Sequence, residues 1–183
     1  MRVKILNRVT SILIFAFLFV SCSSDLDFDQ ANNLKLKPVF VANLAYFNLP
    51  ATQFVNDGSE QVAFDVKEFD AFRKEFFTDN LVKTELDFEV ENTVTRAFTV
   101  EVLLLNDSDQ VLETIRFQIP AYAGNQNIIK FPTEIFENQR LELLKQTTRV
   151  GFIVQMAAGP PIDENSSGKL KLRSSATVYM EIE

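Results

Sequence analysis

The sequence predicts an all-β fold: an antiparallel β-sandwich with one or two short helices in its crossovers. Three observations predict it. Apolar or neutral residues at Val82, Thr84, Leu86, Phe88 and Val90 alternate with Lys83, Glu85, Asp87, Glu89 and Glu91. Comparable two-residue alternation recurs along the chain, broken by clusters of Asn, Asp, Gly and Pro. Helical spacing of apolar residues appears in only two short stretches. A period of two puts one face of a strand in a core and the other in water, as in an antiparallel sheet.

The elements follow in order. A first strand is expected over 34–44 and a second over 62–66. Phe69, Phe72 and Phe76 then recur at helical spacing with Asp70, Arg73 and Lys74 between them, which predicts a short helix with a core-facing stripe. The alternating strand 82–91 comes next. Phe98, Val100, Val102 and Leu104 share one face of the following strand. Leu103 and Leu105 make its other face apolar too, so it is central, or covered there, or offers a docking patch. Asn106-Asp107-Ser108-Asp109-Gln110 is turn chemistry. Val111, Ile115, Phe117 and Ile119 alternate with polar residues up to Pro120, so these two strands form a hairpin.

A strand over 127–131 is expected next. Ile135, Leu141 and Leu144 suggest a second helix, with Thr133 as its N-cap. A strand follows over 150–156. The longest loop starts at Gly159-Pro160-Pro161 and runs to Gly168. In the last strand, 170–182, Leu170, Leu172, Ala176, Val178, Met180 and Ile182 share a face, and Ser174 with Ser175 marks a bulge. About seven strands with intervening turns suit an immunoglobulin-like sandwich. The stretch from Leu86 to Leu112 is similar to the strand pair of bacterial immunoglobulin-like modules, which implies architecture and nothing about activity.

The N-terminus carries a different signal. Arg2, Lys4 and Arg8 precede an uncharged run over 11–20 rich in Ile, Leu and Phe. A basic start, a short apolar stretch and small residues describe a secretory signal. That run is about half the roughly 20 residues a membrane-spanning helix needs. It ends Phe19-Val20-Ser21-Cys22, and Cys22 is the sole cysteine. This resembles the lipobox of bacterial lipoproteins. Val20, Ser21 and Cys22 match it, while the usual Leu sits one place early at Leu18. The resemblance implies cleavage after residue 21 and acylation of Cys22.

Ser23-Ser24-Asp25-Leu26-Asp27-Phe28-Asp29 resembles the acidic export signal beside the acylated cysteine of Bacteroidota surface lipoproteins. It implies that Asp25, Asp27 and Asp29 direct display at the cell surface, on the outer membrane. The same aspartates open an EF-hand spacing, but Gln30 stands at its glycine position and Leu36 at its terminal Glu position. The chain then divides into a signal peptide (1–21), an acidic flexible tether (22–32) and a β-sandwich domain (33–183).

Composition narrows the function. The 183 residues carry 25 acidic and 18 basic side chains, a net charge of −7. An acidic chain without a basic aromatic cluster repels nucleic-acid phosphates. There is no His, so the commonest general base and transition-metal ligand is missing. Five glycines leave no phosphate-binding loop. Neither catalytic residues, nor a metal site, nor a cofactor is expected. There is no Trp, and Tyr46, Tyr122 and Tyr179 are the only tyrosines, which disfavours carbohydrate stacking platforms. The expectation is a lipid-anchored accessory module that binds an envelope protein, with Leu103 and Leu105 as a candidate patch. The alternative is a surface module for a glycan or a cation, the latter at the Asn106–Asp109 turn.

Overall fold

The alternation at Lys83–Glu91 is realised as β3 (Leu81–Asn92) in the register the sequence dictates, except at Val82, which a register shift between Leu81 and Lys83 leaves exposed. Leu86, Phe88 and Val90 are buried, while Glu85, Asp87, Glu89 and Glu91 line the opposite face. The computed structural model describes residues 35–55, 61–69, 74–125 and 128–182. Cys22, Asp25, Asp27, Asp29 and the tether lie outside the described residues. A compact unit spans Leu36–Ile182.

The other strands are β1 (Val39–Pro50), β2 (Gln61–Glu68), β4 (Phe98–Leu105), β5 (Val111–Ile119), β6 (Ile128–Lys130), β7 (Glu134–Phe136), β8 (Arg149–Met156) and β9 (Lys169–Met180). The helices are α1 (Glu75–Asn80) and α2 (Asn138–Lys145), with a 3-10 turn at Ala51–Phe54. One sheet has the order β1-β9-β3, with β6 and β7 both paired to β3 beyond it. The other has the order β2-β8-β4-β5. All the pairings are antiparallel. The two sheets pack as a sandwich, as expected. Their inner faces meet in one apolar core, where Phe88 contacts Phe117 (ring centroids 4.9 Å apart) and Phe117 contacts Phe131 (4.4 Å).

The connections differ from the immunoglobulin pattern. There the first two strands share a sheet. Here β1 and β2 lie in opposite sheets, and so do β2 and β3, β3 and β4, and β8 and β9. Such crossing over the sandwich is the double Greek key of a jelly roll. The β4–β5 hairpin stays within its sheet, as its turn chemistry predicts. Asn106 Oδ1 accepts the backbone N–H groups of Ser108 and Gln110 (3.0 and 2.9 Å).

Three local expectations are corrected. Thr133 does not cap a helix: its hydroxyl donates to Asp87 Oδ1 (2.6 Å), and Glu134–Phe136 pairs with Thr84–Leu86 as β7. The second helix starts only at Asn138. Asp70, Phe72 and Arg73 of the predicted first helix lie outside the described residues; the described helix is Glu75–Asn80, and Phe76 on it is exposed rather than core-facing. The bulge predicted at Ser174 and Ser175 sits opposite them, on β1. β9 runs in continuous register with β3 there, whereas Leu44 and Ala45 together face Ser174. The Ser174 hydroxyl accepts the Ala45 N–H (2.9 Å) and donates to the Ala45 carbonyl (3.0 Å). The serine thus supplies the backbone bonds that the bulge removes from the ladder.

The long loop after β8 is held from below by Arg96, which is buried between β3 and β4. Its Nε donates to the Ala157 carbonyl (2.9 Å) and its Nη1 to the Pro160 carbonyl (2.7 Å). Gly159 lies flat on this guanidinium, since a Cβ there would sit 2.9 Å from Arg96 Cδ.

Candidate functional site: a free strand edge and the groove beside it

Leu103 and Leu105 do not form an open patch. They are only 8% and 5% exposed. Leu103 pairs across to Gly151 on β8. Gly151 offers no side chain, and a Cβ there would lie 3.3 Å from Leu105 Cδ1 and 3.5 Å from Leu103 Cβ. The two leucines fill the space over that glycine.

Exposed apolar surface is found on β1 instead. No charged side chain occurs between Pro38 and Val55, although 23% of the chain is charged. Val39, Phe40, Val41 and Tyr46 are all exposed, Val41 to 72%. Among the described residues, β1 also ends its sheet. Leu36 exchanges two backbone hydrogen bonds with Ile182 (3.0 and 2.9 Å), and the Pro38 carbonyl accepts the Met180 N–H (3.1 Å). Because backbone groups alternate along a strand, Phe40 and Ala42 also bond toward β9. The N–H and C=O groups of Val39, Val41 and Asn43 then point to the free edge.

The other free edge near it is built differently. β2 ends the second sheet. Asp65 and Lys67 pair with the core residues Phe152 and Val150, so they point to the inner side of the sandwich. They lie 3.9 Å apart at the mouth of a cleft of about 260 Å³ lined by Phe47, Leu49 and Phe152. Inward-pointing charges on an edge strand are a recognised guard against strand addition. β2 has that guard and β1 lacks it.

Beside β1, the outer face of the first sheet carries a groove of about 560 Å³ of mixed character, with Phe131 among its lining. Asn43, Asp87, Glu89, Lys130, Thr133, Arg173 and Ser175 line it. Arg173 donates to Glu89 Oε1 (3.1 Å). Tyr46 stands at the adjoining end, with Lys171 Nζ 5.7 Å from its ring centre. Further along the same face, Glu85 takes Lys83 Nζ (2.7 Å) and the Tyr179 hydroxyl (2.9 Å). The hydrogen bond from Lys83, then that from Tyr179, lowers the Glu85 pKa. The bond to Glu85 raises those of Lys83 and Tyr179.

In the Asn106–Asp109 turn two side-chain oxygens have internal partners: Asn106 Oδ1 is used as above, and Asp109 Oδ1 meets Arg149 Nη1 (2.7 Å). Among the described residues, no three His, Cys, Asp or Glu side chains converge as a metal site. Among the same residues, no helix is long and apolar enough to cross a membrane.

Sequence reasoning passed over β1 because only topology makes it an edge. The signal that points to it is the uncharged stretch from Pro38 to Val55.

No family model matches the chain, and no curated protein matches it. Among solved structures it is similar to a candidate secreted protein of Parabacteroides distasonis ATCC 8503, with 11% identity and a TM-score of 0.43 over 64% of this chain and 37% of that one. It is also similar to a structure of infectious bursal disease virus, Gt strain (8% identity, TM-score 0.41, 80% of this chain and 38% of that one). A third is Desmodium yellow mottle tymovirus (10% identity, TM-score 0.33, 81% and 90%). The chain spans less than two fifths of the first two. At these values the strand order, not the neighbours, carries the fold assignment.

Proposed function

We propose that this protein is a lipid-anchored accessory module of the outer membrane, displayed at the cell surface, which works by docking protein rather than by catalysis. Cys22 is the acylation site in this reading, and Asp25, Asp27 and Asp29 direct display. The observation that supports docking is the exposed, uncharged β1 edge beside a guarded β2 edge. An edge of this kind accepts a further strand: backbone hydrogen bonds supply affinity, and alternate side chains supply selectivity. The partner belongs to the envelope, where the anchor holds the domain.

The test compares the full chain with its Val41→Lys variant in native membranes. Val41 is largely exposed, so the variant folds and melts like the wild type. Its complexes, resolved by native electrophoresis after mild extraction, are lost. Unaltered complexes refute docking at β1. Turnover of a glycan or peptide by the purified wild type refutes the non-catalytic reading.

A second reading rests on the outer-face groove. Its mixed donors and acceptors, with Tyr46 at one end, suit a neutral polyol or short glycan. Tyr46→Ala lowers the affinity for such a ligand in calorimetry if this reading holds, and leaves complexes at β1 intact.

A further inference from the structure

We infer that the strand received at β1 is β1 of a second copy of this chain, paired antiparallel about a two-fold axis at Val41. This rests on the reading of β1 as a docking edge and names its occupant.

Three observations lead there. The first is charge. An acidic chain meets its own copy at a cost wherever like charges face each other. The strand from Val39 to Asn43 has no charge, and neither do Ser175, Thr177 and Tyr179, which flank it on β9. This two-strand margin is a place where two copies approach without repulsion.

The second is backbone direction. Val39, Val41 and Asn43 direct their free N–H and C=O groups outward. Pro38, which lacks an N–H, turns that position toward β9. With the axis at Val41, Val41 meets Val41 of the other copy and Val39 meets Asn43. Each is then a hydrogen-bonded pair of the antiparallel type.

The third is side-chain size. Antiparallel partners lie on the same face of the sheet. In this register the outer face brings Val41 against Val41. The inner face sets Phe40 against Ala42, the large residue of one copy over the small residue of the other, twice over. Phe40, which is exposed although it points to the inner side, gains cover. The Leu44–Ala45 bulge ends the usable edge and fixes the register by limiting the overlap to residues 39–43. An interface of this kind is isologous and closes on itself. Tethering in one membrane raises the effective concentration of copies, so a short strand contact suffices.

The test uses the full chain in membranes with a mild copper oxidant. In hydrogen-bonded pairs the Cα atoms are about 5.5 Å apart, within the span of a disulfide. Val41→Cys gives a disulfide-linked dimer, while wild type, which keeps Cys22, and Val62→Cys on the β2 edge give none. Val41→Lys removes the dimer seen for wild type in chemical cross-linking. Absence of a Val41→Cys dimer, with wild type monomeric, overturns the inference. If Val41→Cys instead links to a different envelope protein, the second copy is refuted while docking at β1 stands. If it links to nothing, both fail.

Discussion

Truncating Phe88 measures the β3 register directly. Its ring is 2% exposed and contacts Phe117, which in turn contacts Phe131. A buried aromatic removes about 150–250 Å² from water. At about 25 cal/mol per Å², less what alanine retains, that is roughly 3–4 kcal/mol. The cavity left beside Phe117 adds to this, so Phe88→Ala costs about 3–5 kcal/mol. For a domain of this size each kcal/mol lowers Tm by about 2–4 °C, hence a fall of roughly 6–20 °C. Glu89 is the next residue and points to water, where it meets a half-exposed Arg173. Glu89→Ala costs within about 0.5 kcal/mol. The assay is urea unfolding of the chain from Ser23 onward, followed by far-ultraviolet circular dichroism because there is no Trp to report. Equal costs at the two positions, or a larger cost at Glu89, would refute the register and with it the assignment of faces in the first sheet.

Other outcomes follow from single contacts. Gly168 has φ +110 and a Cβ there would lie 2.2 Å from the Thr93 carbonyl oxygen; Gly168→Ala therefore lowers the urea midpoint far more than Gly124→Ala, where φ is +87 but nothing lies within 4 Å and the strain is about 1–2 kcal/mol. The Thr84 hydroxyl is buried without a hydrogen-bond partner, so Thr84→Val, of similar shape, raises stability by about 1 kcal/mol in the same assay. Glu85 has a lowered pKa, so its contribution is present at neutral pH and is lost as pH falls below the ordinary carboxylate range; Lys83 and Tyr179 have raised values, so theirs is present at neutral pH and is lost in strong alkali. Glu85→Gln flattens the acid limb of a midpoint-versus-pH curve, by a small amount because the cluster faces solvent; an unchanged limb would refute the assignment. Cys22→Ser releases the protein from the membrane fraction, and replacing Asp25, Asp27 and Asp29 with Ala leaves it anchored but shielded from external protease.

What the sequence made legible was local. Lys83–Glu91 announced a strand and its faces because adjacent residues carry the whole pattern. The β4–β5 hairpin was readable because Asn106 both starts and closes its turn. What lay between distant residues was not readable. Nothing at Ser174 tells that the extra residue of the bulge belongs to Leu44 and Ala45, some 130 positions earlier in the chain. Nothing at Leu103 tells that a glycine at position 151 leaves room for it. Ile135 seemed helical because its spacing to Leu141 and Leu144 is helical, yet three residues of ladder with Glu85 outweigh it. The same limit applies to the proposed docking edge: the composition of residues 38–55 is plain, but its meaning depends on β1 having, among the described residues, a neighbour on one side only.

The strand order also fixes when this protein becomes able to fold. β9 lies between β1 and β3, and β8 lies between β2 and β4. In each sheet the strand that joins the first to the rest, β9 or β8, is therefore one of the last two to be synthesised. Until residues 149–180 are available, β1 and β3 have no common neighbour, nor have β2 and β4, and the β4–β5 hairpin is the main strand pair that can form. Sheet closure joins residues separated by most of the domain, as Val39 and Tyr179 are, which makes folding slow. A chain with this topology cannot close either sheet until its last strands are made. An export channel takes a polypeptide that has not yet folded, which is compatible with the route to the cell surface proposed here.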